Sequence, residues 1–321
     1  MHLLFITSNR LGDAILSTGI LNQLIHDFPS GRLTIAASPL VAPLFKHIPN
    51  LERLILFQKK SHGRHWGELW SACFLKRWDL VVDVRGSLLS YFLKVGRRYV
   101  WRSQLDDTLH RVEALAGLLK LNHVPAPKIW TSSEYMNHIH KRGIKKQKGE
   151  TLVAFGMGAN WSGKTWPLTF FIQLAQKIQA ASDVFPKCRF LLLGSKDEKS
   201  LGVPFQEAFP KESVIDVIGD LDLLSVHTAL QESSFFIGND SGLMHLSAAA
   251  QTPTIGLFGP SYPQHYRPWG EKATYVTTDV SYNDLVAMPE YKLKAPQTLM
   301  TSLSVEKVFG ALVQHRKHFK T

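Results

Sequence analysis

The sequence predicts an α/β protein of two Rossmann-like, doubly wound domains that face a common cleft. Its 321 residues are enough for two domains. Short apolar runs typical of buried strands alternate with helical periodicity in both halves of the chain, which indicates parallel sheets with helices on both faces. The charged segment 140–150 separates the two alternating runs and is predicted to be a linker. We therefore expect domains at 1–150 and 151–321.

The first half begins with an apolar run at 3–6, followed by a polar loop and by helical spacing from Asp13 to Ile25. Phe28-Pro29-Ser30-Gly31 ends that helix. Further strands are predicted at 33–37, 54–57 and 79–83, and further helices near 39–47 and 68–74.

In the second half the alternation starts again at 152. Strands are predicted at 152–155, 190–194, 214–218, 235–238 and 254–258. The helices between them are predicted at 168–181, 221–230 and 243–250, and a closing helix at 305–315.

Composition excludes several classes of protein. The only cysteines are Cys73 and Cys188, too few for a disulfide scaffold or a cysteine-rich zinc module and suited to a reducing compartment. No apolar run approaches the ~18 residues of a membrane span. The first residues include neither a basic leader nor a small-residue cleavage site, so we expect no signal peptide and a cytoplasmic location.

The positive charge lies in the first half. Residues 1–150 contain 22 Lys and Arg against 11 Asp and Glu, whereas residues 151–321 contain 15 of each. Such an excess attracts nucleic acid, anionic lipid headgroups or a phosphorylated substrate, although any single cluster is equally explained as solubilising surface charge. Arg97, Arg98 and Arg102 form one of these clusters.

Gly158–Thr165 matches the phosphate-loop pattern G-x-x-x-x-G-K-[ST] after a predicted strand. Pro167 argues against an NTP-hydrolysing loop, because the helix of such a loop is already under way at that position. Bulky Trp161 and Trp166 argue against it too. A P-loop-like nucleotide-binding protein stays open as an alternative, and Lys164 is a candidate phosphate contact under either interpretation.

Asp13 follows Arg10-Leu11-Gly12 between the first strand and the first helix. Ligands of open parallel sheets gather at the carboxyl ends of the strands, so an ionised carboxylate there is a candidate general base. Asp is also a preferred helix cap, and capping alone would explain its presence.

A third candidate site is Gly238–His245, where a strand ends in a glycine-containing loop and a helix begins near Ser241. The exposed N–H groups of a helix start suit a diphosphate, and His245 lies one helical turn further on. A capped helix followed by a partly buried histidine is the simpler structural explanation.

Four segments together resemble glycosyltransferase family 9, the ADP-heptose:lipopolysaccharide heptosyltransferases and their relatives. They are RLGDAILSTGIL, WDLVVDVRG, AFGMGANWSGKTWP and IGNDSGLMHLSAAAQTPTIGLFGP. The resemblance covers nearly the whole chain in order. It implies the GT-B arrangement of two Rossmann-like domains, inverting transfer from a nucleotide-diphosphate sugar, and no required cofactor or metal.

The resemblance also implies roles for individual residues. Asp13 would deprotonate the acceptor, Lys164 would hold the donor diphosphate with Asn160 in the same turn, Glu198 would meet the ribose and Leu221 the base. The diphosphate and sugar would be held by Asp240, Ser241, Gly242 and His245. Ser241 stands where the family more often has Thr, and Asn160-Trp161 departs from its usual phosphate turn, which leaves the donor's identity open.

The function expected from the resemblance is transfer of a sugar, heptose from ADP-heptose, onto the lipopolysaccharide inner core or a related anionic glycolipid. The basic first half, with Arg10, Arg97, Arg98 and Arg102, would face the acceptor at the inner surface of the cytoplasmic membrane, and no nucleic acid is expected as a partner. A nucleotide-sugar epimerase or hydrolase of the same architecture, or a non-catalytic binding protein, stays open as an alternative.

Overall fold

The computed structural model describes residues 1–58, 64–102, 108–294 and 296–319. Within these ranges the chain forms two compact units, Met1–Ser132 and Ser133–Thr321, called here the first unit and the second unit. Each unit contains its own parallel sheet.

The first unit's strands, within the described residues, are β1 (His2–Ile6), β2 (Arg32–Ala37), β3 (Leu51–Leu56), β4 (Trp78–Asp83) and β5 (Val95–Val100). All pair in parallel, in the order β3-β2-β1-β4-β5. The helices are α1 (Leu11–Asp27), α2 (Arg64–Cys73) and α3 (Arg111–Leu118). This is the doubly wound order, with a topological switch point between β1 and β4.

The second unit's strands are β6 (Thr151–Gly156), β7 (Cys188–Leu193), β8 (Val214–Asp216), β9 (Phe235–Asn239), β10 (Thr254–Phe258) and β11 (Ala273–Thr277). Their order is β11-β10-β9-β6-β7-β8, all parallel, which puts the switch point between β6 and β9. The helices are α4 (Ser133–Lys141), α5 (Leu168–Ala180), α6 (Gly202–Glu207), α7 (Leu223–Gln231), α8 (Gly242–Ala249), α9 (Pro263–Tyr266), α10 (Tyr282–Ala287), α11 (Pro289–Lys292) and α12 (Val305–His318).

The division between the units falls at Ser132, earlier than the predicted residue 150, because α4 packs against α7. The predicted linker 140–150 is likewise bound to the second unit. Arg189 donates to the carbonyl oxygens of Gly143 (3.3 Å) and Lys145 (2.9 Å), and the amide of Lys146 donates to Glu232 (3.0 Å). Its backbone therefore has partners within the second unit, which composition alone does not reveal.

Three further differences from the sequence prediction have local causes. The helix expected near 39–47 is a single 3-10 turn, Ala42–Phe45, with Pro43 inside it. The strands β5 and β11 were not predicted, because each is an edge strand with a partly exposed surface and no apolar run. The phosphate-loop alternative fails on geometry, since α5 begins only at Leu168, after the N-cap Pro167, and not at Lys164.

Each core holds its sheet by burying aromatic and aliphatic side chains. In the second unit the ring of Phe155 on β6 lies 5.6–5.8 Å from those of Phe171, Phe190 and Phe205, all fully buried. Truncating one such ring to alanine costs ~3–5 kcal/mol of stability. This packing fixes β6 and β7, whose carboxyl ends carry predicted site residues.

In the first unit the chain after α3 crosses α1 at Gly19. A Cβ there would lie 2.3 Å from the carbonyl oxygen of Pro125, so only glycine permits the approach. The amide of Lys128 donates to Thr18 Oγ1 (3.0 Å) beside it. This contact fixes α1, the helix whose first turn carries Asp13.

Candidate active site

The second unit's predicted donor residues lie in the turns after four neighbouring strands. Asn160 and Lys164 follow β6, Glu198 follows β7, Leu221 follows β8 and the Asp240 loop follows β9. Because these strands are parallel, all four turns lie at the same edge of the sheet, beside its switch point.

Lys164 and Asp240 meet across the switch point. Lys164 Nζ lies 2.7 Å from Asp240 Oδ2, and the Asp240 side chain is only 9% exposed. A charge-assisted bond of this length ties the turn after β6 to the turn after β9. The pair puts a lysine cation beside the start of α8.

Asn239, which sequence reasoning missed, fixes the same two turns. Its fully buried side chain donates to the carbonyl oxygen of Met157 (2.7 Å) and accepts from the amide of Trp166 (2.9 Å). These bonds clamp both ends of the loop that carries Lys164. The only sequence signal is the position of Asn239 directly before Asp240, and its partners lie far away in the chain.

The start of α8 has donor groups that the fold leaves for a ligand. Ser241 is the N-cap residue, but its hydroxyl makes no capping bond, and Ser241 Oγ is buried without a partner among the described residues. Gly242 is the first residue of α8, and His245 lies buried in its first turn. The first N–H groups of a helix have no partner within the helix and attract anions.

Glu198 and Leu221 lie in two turns that pack closely at this edge. Glu198 Oε2 accepts from the amide of Ser195 (2.7 Å), and a Cβ at Gly158 would clash with the Glu198 carboxylate. Gly219, two residues before Leu221, has φ 76° and lies against Lys196. The structure therefore brings the Gly158–Lys164 loop and Glu198 together and places Leu221 two residues after the turn at Gly219, and the roles of these residues stay predictions.

Asp13 lies at the carboxyl end of β1 in the first unit, in the first turn of α1. It is not the helix cap: the N-cap residue is Arg10, and α1 has no side-chain cap. This removes the capping explanation of Asp13. The Asp13 side chain is 13% exposed, which leaves it accessible to a substrate.

Arg111 is the counter-ion of Asp13, and sequence reasoning missed it. Arg111 Nε lies 3.6 Å from Asp13 Oδ1, and its guanidinium carbon lies 3.7 Å from the ring centroid of Trp101. The capping box of His110 and Glu113 starts α3 at Arg111 and so fixes the position of the guanidinium. The sequence signals neither the capping box, because His is not a usual N-cap residue, nor the contact with Asp13.

Asp83 ends β4 on the other side of the switch point. Its buried carboxylate accepts from the amides of Arg85 (2.9 Å) and Ser87 (3.0 Å) and from the Ser87 hydroxyl. Burial raises the pKa of Asp83 against the opposing effect of these donors. All its bonds are to its own turn, which identifies Asp83 as a structural residue of that turn.

The predicted acceptor-facing arginines do not form one surface. Arg97 and Arg98 are successive residues of the edge strand β5, so their side chains point to opposite faces of the sheet. Arg98 lies over the ring of Tyr91 (4.9 Å) and donates to the carbonyl oxygen of Ser90 (3.1 Å). Arg102 lies past the end of β5, and Arg10 is exposed before α1. Whether any of the four arginines contacts the acceptor stays a prediction.

Neither a membrane helix nor a metal-ligand cluster is found in the described ranges. No helix there is long and apolar enough to cross a bilayer. Nor do three or more His, Cys, Asp or Glu side chains of those residues gather as a metal ion would require.

Comparison with known proteins identifies the family. The model of glycosyltransferase family 9 (heptosyltransferase) matches residues 91–293. The chain belongs to glycosyltransferase family 9. The predicted family and enzyme class are thereby confirmed: the chain is a glycosyltransferase.

Curated relatives and solved structures agree with this assignment. The chain is 23% identical over 312 residues to lipooligosaccharide heptosyltransferase 2 of Haemophilus influenzae, covering 86% of this chain and 88% of the relative. It is 26% identical over 316 residues to the protein of that name from Campylobacter jejuni, covering 93% of each.

The structure of Escherichia coli ADP-heptose lps heptosyltransferase II matches with a TM-score of 0.76 and 18% identity over 100% of both chains. A family 9 glycosyltransferase from Veillonella parvula matches with a TM-score of 0.80 and 20% identity over 99% of this chain and 97% of its own. These likenesses confirm the predicted fold class.

Proposed function

We propose that this family 9 glycosyltransferase transfers heptose from ADP-heptose, with inversion, onto the lipopolysaccharide inner core or a related anionic glycolipid. Its relatives named as heptosyltransferases support the sugar and the acceptor. The observation on this chain that carries the proposal is the Lys164–Asp240 pair beside the start of α8, because it presents a cation and free N–H groups to one anionic ligand.

The donor diphosphate takes the place of Asp240 as the partner of Lys164. Its oxygens also accept from Ser241 Oγ and the first N–H groups of α8, with His245 as a further donor. Glu198 binds the ribose and Leu221 contacts the base, while Asn160 lines the same turn. All these residues lie at one edge of the second unit's sheet.

Asp13 acts as the general base on the acceptor. In the transfer step its carboxylate takes the hydroxyl proton while the acceptor oxygen forms a bond to C1 of the sugar. The bond between C1 and the β-phosphate oxygen breaks, and ADP leaves with the bonding electrons. Lys164 and the N–H groups of α8 stabilise the charge that develops on the β-phosphate.

No cofactor or metal takes part in the proposed step. Stabilisation of a leaving diphosphate needs positive charge and hydrogen-bond donors aimed at its oxygens, which a metal ion supplies in other enzymes. Here Lys164, Ser241 and the start of α8 provide both kinds of group. Added chelator should therefore leave the rate unchanged.

The first unit binds the acceptor from the cytoplasmic side of the membrane, as a peripheral protein. The first unit contains 17 Lys and Arg against 9 Asp and Glu, an excess of eight positive charges that suits an acceptor bearing phosphate or carboxylate groups. We include Arg10 and Arg102 among the groups that meet it, since both are exposed in the first unit.

Product analysis tests the proposal. The full chain is incubated with ADP-heptose alone, with acceptor alone and with both, and the products are identified by mass and by the anomeric configuration of the new bond. We expect ADP release only when both are present, with the acceptor gaining one heptose in the inverted configuration.

The open alternatives give other results. Consumption of the donor without acceptor would indicate an epimerase or hydrolase, and binding without turnover would indicate a non-catalytic protein. A thermal-shift screen of nucleotide sugars identifies the donor independently, because a ligand at ~100 times its Kd adds ~2.7 kcal/mol to stability.

A further inference from the structure

Helix α2 carries two adjacent apolar stripes: the core buries the first completely and the second only in part, through Trp66. His65, Leu69 and Cys73 recur every fourth residue and are buried. Trp66 and Trp70 form a second stripe one position further on, and Trp70 is 39% exposed. Trp70 therefore presents apolar surface to solvent at the margin of the face that packs on the core.

The second stripe continues onto the neighbouring 3-10 helix, Leu89–Phe92. Trp70 Nε1 donates to the carbonyl oxygen of Phe92 (3.1 Å), which ties the two elements together. Leu88 is 72% exposed and Phe92 is 70% exposed. We call the surface formed by Trp66, Trp70, Leu88 and Phe92 the aromatic patch.

A groove of about 600 Å³ runs along the aromatic patch. Apart from Ser87, its walls are Gly67, Leu89 and the patch residues themselves. In the second unit, by contrast, the exposed large apolar residues among those described are spread over separate elements, such as Val203 on α6 and Tyr275 on β11. Scattered residues need no explanation, whereas a continuous apolar surface marks an interaction site.

The charge around the aromatic patch indicates its partner. Residues 64–102 contain eight Lys and Arg but only three Asp and Glu, and Asp83 among the acids is buried in its own turn. Arg85 lies 4.8 Å from the Trp66 ring and Arg98 lies over Tyr91, next to Phe92. Arg85 is half-buried, whereas Arg98 is exposed, and an exposed apolar surface with a neighbouring cation in a basic segment matches a bilayer, with hydrocarbon inside and anionic phosphates outside.

We propose that the aromatic patch docks the first unit on an anionic lipid bilayer. Trp70, Leu88 and Phe92 enter the boundary between headgroups and acyl chains, and the surrounding arginines contact the phosphates. The inference rests on the proposed function for its biological setting, since a lipid-linked acceptor lies in such a surface.

The test is the partition of the full chain between buffer and vesicles. We would use vesicles of phosphatidylcholine mixed with phosphatidylglycerol, and vesicles of phosphatidylcholine alone. Leu88→Ser combined with Phe92→Ser should lower the partition coefficient on the mixed vesicles about tenfold, because two apolar side chains no longer leave water. Val203→Ser, an exposed apolar residue of the second unit, is the matched control and should change nothing.

Four results would overturn the proposal. The double variant could bind mixed vesicles as well as wild type, or wild type could bind both kinds of vesicle equally. The double variant could raise only the KM for an acylated acceptor in detergent with vesicle binding unchanged, which would make the aromatic patch an acyl-chain site of the acceptor. Wild type could also self-associate without vesicles, with the association lost in the double variant.

Transfer to an acyl-free acceptor separates this inference from the proposed function. The double variant should match wild type on that soluble acceptor, since neither residue takes part in the proposed reaction. If wild type fails to transfer heptose yet binds mixed vesicles through the aromatic patch, the proposed function is wrong and the docking surface stands.

Discussion

The two units place opposite charges at equivalent points of the same sheet. In both, the first strand of the unit lies at the switch point, β1 in one and β6 in the other. The turn after β1 leads to Asp13, and the turn after β6 leads to Lys164. Each charge is balanced by a residue from elsewhere in its own unit, Arg111 and Asp240 respectively. One topology therefore presents the proposed base in the first unit and the proposed anion site in the second.

The two pairs also differ in how tightly they are bound. Lys164 and Asp240 make a direct hydrogen bond of 2.7 Å, whereas Arg111 and Asp13 are 3.6 Å apart, beyond hydrogen-bond length. The proposed role of Asp13 as a base needs a lone pair that is available for a proton, so a partner beyond hydrogen-bond length suits it. The proposed role of Lys164 needs a positioned cation, so a direct bond to Asp240 suits it until the diphosphate takes the place of Asp240.

The largest effect should follow from neutralising Asp13, the charge that the first unit carries beside its switch point. Asp13→Asn removes the proposed proton acceptor while keeping the shape of the side chain. We expect turnover to fall at least ~100-fold, the usual scale for loss of a general base. Donor affinity, measured by titration calorimetry, should stay unchanged because the donor residues lie in the second unit. Turnover near that of wild type would reduce Asp13 to a structural residue.

Removing the charge of Lys164 in the second unit should instead lower the affinity for the donor. Lys164→Ala removes the cation facing the diphosphate, and we expect donor affinity to fall about tenfold to hundredfold, as for a lost charged hydrogen bond. Lys177→Ala is the matched control, since Lys177 pairs with Glu306 (3.3 Å) on the surface of α5. Equal donor affinity in both variants would remove Lys164 from the site.

Two buried groups, one in each unit, should respond to acid with opposite signs. Burial lowers the pKa of His227 on α7 from 6.5 to about 4. The unfolded chain therefore binds a proton that the folded chain does not in this window, and stability falls as the pH falls through it. Burial lowers the pKa of His315 in the same unit, so it adds to the loss. Burial raises the pKa of Asp83 in the first unit, which favours the folded state on acidification.

Urea unfolding of the full chain at pH 7 and pH 5 measures how the unfolding free energy changes with pH. His227 alone should remove about 2 kcal/mol of unfolding free energy between the two pH values. His227→Leu should abolish that part of the loss, with His315 leaving a smaller remainder. An acid dependence identical to wild type would show that His227 is accessible to protons in the folded state.

The sequence predicts those features whose signals lie within one short segment of the chain. The turns that carry Asp13, Lys164 and Asp240 each adjoin an apolar run, so strand order and parallel pairing place them at one edge of their sheets. Asn239 and Arg111 could not be assigned in this way, because their partners are 73 and 98 positions distant in the chain. No local pattern encodes such a contact.

The same reasoning explains the errors. The charge of the 140–150 segment predicts a linker, but Arg189 donates hydrogen bonds to it from a strand that lies far along the chain. Adjacent arginines such as Arg97 and Arg98 predict one basic cluster, but the strand β5 turns their side chains to opposite faces. Periodicity locates buried strands well and half-exposed edge strands poorly, since edge strands need no continuous apolar run.

Substitutions of Arg111 test its pairing with Asp13. Arg111→Ala should lower kcat about tenfold by leaving the Asp13 side chain without its neighbour, with the Kd for the donor unchanged. Arg111→Lys keeps the charge and should recover part of the loss. A lysine variant as slow as the alanine variant would mean that packing on Trp101 matters and the charge does not. Thermal unfolding of both variants controls for misfolding.

The smallest expected effect is a difference in vesicle binding between variants on the two faces of β5. Arg98 lies on the face of Tyr91 and the aromatic patch, whereas Arg97 lies on the opposite face. One basic residue near an anionic membrane contributes ~1 kcal/mol, so Arg98→Gln should weaken binding to mixed vesicles about fivefold. Arg97→Gln, its neighbour of equal charge, should have little effect. The difference should vanish at ~1 M salt, where screening shortens to ~3 Å. Equal weakening by both variants would mean that the first unit attracts lipid through its overall charge, with no preferred face.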